Sequence, residues 1–273
     1  AIINQGELQV DTELLDAAPH LRIIANVATG TNNLDADLMA KRGVWATNVP
    51  DAFVDSTADF TLALILAVLR QVSQADRYIR SGQWAKDGFQ PGVWDGIQLR
   101  EKTLGIIGYG KIGQAVAERA QAFGMSILFN RQSQTNDPAF RQIDDLLKEA
   151  DIISLHTPLT HQTHHLIDAR KFSLMKRGAY LINMARGPVV DEQALVKALQ
   201  TGKLAGAGLD VRGCSASLGR LQHPRKGVAA VHCIIVGFGK SARASPAIFE
   251  YDDPTSEPHR IAVDVELIRT GVA

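Results

Sequence analysis

The chain has 273 residues, 45% hydrophobic and 21% charged, the balance of a globular protein with one large or two ordinary domains. Lys plus Arg and Asp plus Glu number 29 each, so no basic excess exists to neutralise phosphates, which argues against nucleic acid as the main partner. The longest apolar run, Phe60 to Leu69, is too short to span a bilayer. No secretory signal is visible, and two cysteines, Cys214 and Cys233, make no disulfide framework, so a cytoplasmic setting is the default. Ala1 stands where an initiator Met would, which points to a processed or incomplete chain.

Leu21 to Val27 and Val44 to Val49 read as strands, with a short helix over Asp35 to Arg42 closed by Gly43 between them. Ser56-Thr57-Ala58-Asp59 starts an apolar helix that the pattern carries to about Ile79. Its middle, Leu62 to Leu69, is apolar nearly all round, as suits either a subunit interface or a helix buried within one chain. Ser81 to Gly96 shows no clean period and reads as a loop crossing between domains. From Lys102, strands over 103–107, 126–130, 151–155, 179–183 and 204–211 alternate with helices over 111–123, 143–149, 169–175 and 192–201. Such alternation predicts an α/β fold with a doubly wound parallel sheet.

Gly108-Tyr109-Gly110-Lys111-Ile112-Gly113 follows an apolar strand and opens an amphipathic helix. In that context G-x-G-x-x-G predicts a dinucleotide site. Gly108 permits the tight turn, Gly110 lets a pyrophosphate approach the backbone, and Gly113 lets helix and strand pack closely. The second strand ends in Asn130-Arg131-Gln132-Ser133, without the carboxylate that an NAD site offers to the ribose 2′-hydroxyl. A guanidinium can bind a 2′-phosphate bidentately, so NADP(H) is predicted over NAD(H), with dual use as the alternative.

Asn183-Met184-Ala185-Arg186-Gly187 ends another strand, at the sheet edge where ligands collect. Ala185 leaves room for a flat ring, and Arg186 can grip a carboxylate. His156-Thr157-Pro158-Leu159-Thr160 also follows a strand, and His161, His164 and His165 come soon after. No Cys or carboxylate partner accompanies them, so they read as solvated or cofactor-flanking histidines and no metal is predicted.

Together these residues resemble the D-isomer-specific 2-hydroxyacid dehydrogenases, in a version similar to glyoxylate, hydroxypyruvate and glycerate reductases. The matching stretches are Leu104 to Gly113, His156 to Thr160, Asn183 to Leu195, Gly206 to Val211 and the loop Thr29-Gly30-Thr31-Asn32-Asn33-Leu34-Asp35. The resemblance implies a Rossmann-type nucleotide domain over residues 79–236 beside a partial flavodoxin-like substrate domain over 1–78. Residues 237–273 would be a divergent C-terminal segment returning to the substrate domain. That lobe's first β-α-β-α portion has no counterpart ahead of Ala1. By position, Arg186 would bind the substrate carboxylate and polarise the keto oxygen, and backbone N–H groups of Thr29 and Gly30 would hold the carboxylate's other side. Asp210 would bond the nicotinamide carboxamide, Thr57 would lie near its ribose, and Pro158 near the adenosine. Lys111, Ile112, Asn130, Gln132, His156, Thr157, Thr163 and Ala185 complete the implied cofactor contacts. A homodimer and a small 2-oxo acid substrate are implied as well.

The resemblance stops at Val211. The family continues into an acidic segment ending in Glu-Pro and supplies a histidine that protonates the carbonyl oxygen. Here Arg212-Gly213-Cys214-Ser215 follows, and residues 212–249 hold six basic residues and no acid. His232 falls near the spacing expected of the catalytic histidine, ahead of His223 and His259. The loss of acids suggests a frame-shifted or otherwise non-homologous stretch, and Arg260 to Arg269 reads as a short helix. Two functions follow: an NADPH-dependent 2-oxo acid reductase, or a non-catalytic NADP(H)-binding protein of the same fold, corepressor-like or an inactive remnant.

Overall fold

The structure, a computed structural model, describes residues 1–6 and 8–210 in full, and beyond them the backbone of the strands Ala230–Ile234, Ile248–Glu250 and His259–Ile261. Residues 1–234 form one compact unit and residues 235–273 a second.

The first unit opens with β1 (Ile2–Asn4), α1 (Thr12–Ala17), β2 (Ile23–Asn26), α2 (Ala36–Arg42) and β3 (Trp45–Thr47). The strands pair in parallel in the order β1-β2-β3. β1 and α1 add to the predicted elements, and each is too short for a period to show. Asp35 caps α2 by accepting from the Leu38 N–H, and Gly43 closes it at φ +65°. Val10, Leu15, Ile24, Met39 and Val44 make this lobe's core.

Next come α3 (Val54–Leu69), α4 (Val72–Arg80) and α5 (Gln83–Asp87). The pattern predicts one helix to about Ile79, but the chain breaks at Arg70 and Gln71, and α3 and α4 meet at 62°. The Leu69 carbonyl accepts from the Ile97 N–H at 2.9 Å, which ends the helical ladder there. The backbone at Gly96 packs against the same carbonyl so closely that a Cβ would lie 2.6 Å from it. Gln71 then takes a left-handed turn at φ +56°. The predicted loop over 81–96 holds α5 within it.

The larger sheet is built from β4 (Thr103–Ile107), α6 (Lys111–Ala122), β5 (Ser126–Asn130), α7 (Ile143–Glu149), β6 (Ile152–Leu155), α8 (Ala169–Leu174), β7 (Ala179–Asn183), a 3-10 turn (Gly187–Val189), α9 (Glu192–Gln200), β8 (Leu204–Asp210) and β9 (Ala230–Ile234). Its strands are all parallel, in the order β5-β4-β6-β7-β8-β9. Alternate residues serve the two faces. Leu104 and Ile106 pack with residues of α3 and α6, such as Ile65 and Val116. Ile107, Ile153 and Leu181 pack with residues of α7, α8 and α9, such as Leu147, Phe172 and Leu195. Helices therefore cover both faces, which is the doubly wound α/β arrangement. Strand order reverses between β4 and β6, and a crevice opens outside the C-terminal ends at such a point.

α3 lies directly on β8. A Cβ on Gly208 would sit 2.7 Å from Leu64, and one on Gly206 would sit 3.0 Å from Val68. Leu64, Ile65, Val68 and Leu69 are buried within this single chain, so their apolar composition needs no partner subunit to explain it. No single helix among the described residues is long and apolar enough to cross a membrane.

In the second unit, β10 (Ile248–Glu250) and β11 (His259–Ile261) pair antiparallel. Arg260 and Ile261 are thus strand residues where the sequence suggested the start of a helix, and the rest of that predicted helix lies outside the described residues. Apart from β9 and the first residues of β10, so does the acid-free stretch 212–249, with Cys214 and His223.

Candidate functional site

The reversal point carries the glycine turn after β4 and the His156 loop after β6. The two loops touch through their backbones. Gly108 has φ +98°, and a Cβ there would lie 2.6 Å from the His156 carbonyl carbon and 2.7 Å from the Thr157 nitrogen. Only glycine satisfies both demands. The Asn130 carbonyl accepts from the N–H groups of Gly108 and Tyr109 at 3.0 and 3.1 Å, which ties the turn to the end of β5. A Cβ on Gly110 would meet nothing within 4 Å, whereas one on Gly113 would lie 2.5 Å from the Gly108 carbonyl oxygen. The turn therefore has open space at its second glycine and tight packing at its first and third. This division fits a diphosphate approaching the N-terminus of α6, where free N–H groups and the helix dipole favour an anion. Lys111 opens α6, and Ile112 is half-buried against its core.

The edge of β5 carries the predicted specificity residues. Arg131 is exposed and its Nε donates to the Ser133 carbonyl at 3.1 Å; Gln132 is exposed as well. The Asn130 amide nitrogen donates to the Arg141 carbonyl at 2.8 Å, so one half of its amide serves the fold. Tyr109 stacks on Phe129 with centroids 4.0 Å apart. Burial and the nearby Asp137 carboxylate raise its phenol above the usual range.

In the His156 loop, Thr163 Oγ1 donates to the Pro158 carbonyl at 2.6 Å and accepts from the Thr160 N–H at 2.7 Å. Its hydroxyl therefore shapes the loop that carries Thr157 and Pro158. Of the histidines that the sequence reads as solvated or cofactor-flanking, His156 is not solvated at its ring nitrogens. Its Nε2 bonds Ser154 Oγ at 2.8 Å, and its Nδ1 is buried without a partner. Burial pushes the imidazole down to about 4, so it stays neutral near pH 7. His161, His164 and His165 are exposed, the last two stacked with centroids 4.1 Å apart. Among the described residues no group of three His, Cys, Asp or Glu is placed to hold a metal.

A second cluster joins the two sheets. After β7, Asn183 accepts from the Ala185 N–H with Oδ1 and donates to the Arg186 carbonyl with Nδ2, which folds the strand end back on itself. Ala185 is buried, and its carbonyl accepts from Arg186 Nη1 at 2.8 Å. The guanidinium reaches the Thr29-Gly30 loop of the smaller lobe: a Cβ on Gly30 would lie 2.7 Å from Arg186 Nη2. That loop is held by side-chain amides, two of which, Asn26 and Asn48, lie outside the Thr29–Asp35 motif. Asn26 Nδ2 donates to the Gly30 carbonyl at 3.0 Å, Asn33 Nδ2 to Asn26 Oδ1 at 3.2 Å, and Asn48 Nδ2 to the Thr29 carbonyl at 3.1 Å. Asn26 and Asn33 are almost fully buried, and the Asn-rich run near Gly30 was the available signal.

Thr57 lies half-buried in the first turn of α3, with its carbonyl accepting from Thr61 Oγ1. Asp210 is half-buried at the end of β8 and pairs in register with Ile234. His232 pairs with Gly208, so its backbone lies inside β9. Its side chain lies outside what the structure describes.

Residues 62–214 match the model of the D-isomer specific 2-hydroxyacid dehydrogenase NAD binding domain. A glyoxylate reductase of Thermococcus litoralis is 48% identical over 213 residues, 74% of this chain and 64% of that enzyme. The chain thus spans a little under two thirds of that relative. A solved Thermus thermophilus protein is 44% identical with a TM-score of 0.72, over 76% of this chain and 66% of its own. An NADPH-dependent glyoxylate/hydroxypyruvate reductase from Sinorhizobium meliloti, solved with NADP and malonate, is 32% identical with a TM-score of 0.73, over 83% and 70%. The glycine turn, the strand order and these matches agree: the chain belongs to the D-isomer-specific 2-hydroxyacid dehydrogenase family.

Proposed function

We propose that this protein binds NADPH at the glycine turn and reduces a small 2-oxo acid of the glyoxylate or hydroxypyruvate kind to a D-2-hydroxy acid. The observation that carries this reading is the approach of Gly30 to Arg186. A cationic fork from one sheet and a backbone loop from the other converge on one spot. A carboxylate held between the guanidinium and the N–H groups of Thr29 and Gly30 would be fixed in orientation, with its keto oxygen beside a positive charge. Gly108, Gly110, Lys111 and Gly113 would hold the cofactor's diphosphate, and the bound nicotinamide would supply the hydride. The phosphorylated cofactor is favoured by Arg131 and by the absence of any carboxylate from Asn130 to Asn136.

The second reading is a protein that binds NADP(H) without turnover. Arg212-Gly213-Cys214-Ser215 favours it, because no Asp or Glu occurs from Val211 to Phe249, where the family places the carboxylate that holds its histidine protonated. Titration with NADPH and NADH, followed by addition of glyoxylate, separates the two. NADPH oxidation on addition of glyoxylate supports the reductase, and tight binding without oxidation supports the second reading. If neither cofactor binds, both readings fall.

A further inference from the structure

We propose that the Asp51 carboxylate competes with the cofactor's diphosphate for the Lys111 ammonium, so that Asp51 lowers the affinity of the glycine turn for its ligand. The proposal rests on the reading of that turn as a nicotinamide dinucleotide site. Lys111 is the first residue of α6, directly after Gly110 and the open space beside it. Its Nζ is paired with Asp51 Oδ1, from the loop between β3 and α3. Both side chains are about two-thirds exposed, at 66% and 67%, and such a pair has little net worth and exchanges readily. A diphosphate brings more charge than one carboxylate, and the N–H groups of α6 add to its hold.

Asp51 would remain close after the exchange, because its loop is anchored. The Val49 N–H donates to the Ala28 carbonyl at 3.2 Å, Asn48 holds the Thr29 carbonyl, and the Asp51 carbonyl accepts from the Val54 N–H. A like charge would thus stay near the bound phosphates. The other carboxylates of this segment are engaged elsewhere: Asp55 and Asp59 bond Arg119 at 3.0 and 2.6 Å. Asp51 alone of the three is paired with the lysine at the phosphate turn.

The test is fluorescence titration with NADPH of the full chain, its Asp51→Asn, Lys111→Gln and double variants, and Asp59→Asn as a control of equal charge change. Asp51→Asn is expected to tighten binding about three- to tenfold at low salt. The gain should shrink toward none at about 1 M salt, where the Debye length is about 3 Å. It should also be absent in the Lys111→Gln background. An unchanged or weaker Kd for Asp51→Asn overturns the proposal. So does an equal gain without Lys111, or an equal gain from Asp59→Asn. If the unaltered chain binds neither NADPH nor NADH, the cofactor reading itself fails.

Discussion

A Cβ on Gly30 would lie 2.7 Å from Nη2 of Arg186, so the guanidinium occupies the space that any larger residue at position 30 would need. One belongs to a loop of the three-stranded sheet and the other to the end of β7 in the six-stranded sheet. In the proposed function a small carboxylate would be held beside this contact, and the first prediction concerns its cationic half.

Arg186→Lys keeps the charge and loses the two-pronged fork. The KM for glyoxylate should rise more than about tenfold while the Kd for NADPH stays within about twofold. Steady-state kinetics beside cofactor titration checks this. An unchanged KM would remove Arg186 from the substrate site.

The glycine turn separates stability from binding. Gly110 has ordinary backbone angles and open space around it, so Gly110→Ala should fold with stability within about 0.5 kcal/mol of the unaltered chain. Its NADPH affinity should fall by more than about tenfold, because the methyl group occupies the approach of the diphosphate. Gly113→Ala should instead lose about 1–3 kcal/mol, since its methyl group meets the Gly108 carbonyl. Urea denaturation and cofactor titration on the same samples distinguish the two variants.

Cofactor choice is predicted to follow the end of β5. Arg131→Asp should exchange preference from NADPH toward NADH by more than about tenfold in the ratio of affinities. The removed guanidinium is exposed and its Nε bond is local, so the fold should be unaffected. Equal ratios before and after would remove Arg131 from the 2′-phosphate site.

His156 should make the protein acid-sensitive. Its imidazole titrates near 4 in the folded chain and near 6.5 when unfolded, so the unfolded chain takes the proton first. The favourable state is therefore complete above about pH 6.5. Stability falls as pH drops toward about 4, by about 3 kcal/mol over the window. Urea midpoints measured across that range should show the slope, and His156→Gln should flatten it. A variant that keeps the full slope would assign the acid sensitivity to other groups.

The small lobe depends on amides that hold one another. Asn33→Ala would strip the Asn26 Oδ1 and the Leu8 carbonyl of a donor and should cost about 1–3 kcal/mol. The change is readable as a lowered urea midpoint with an unchanged slope.

Local pattern was enough for much of this protein. Residues 103–210 announce their strands and helices through apolar spacing, and Gly108, Gly110 and Gly113 announce their turn, because these signals act over a few residues of chain. The family resemblance and the doubly wound sheet were legible on the same basis. Other features depend on partners distant in sequence. The break after Leu69 exists because Ile97 takes its carbonyl, which no period within the helix encodes. The burial of the His156 Nδ1, the seating of α3 on Gly206 and Gly208, and the approach of Gly30 to Arg186 are likewise contacts between separate segments. The pairing of Asp51 with Lys111 spans 60 residues of chain. Spacing along the chain specifies which residues form an element and which face is apolar, while packing decides which polar groups meet when the elements come together.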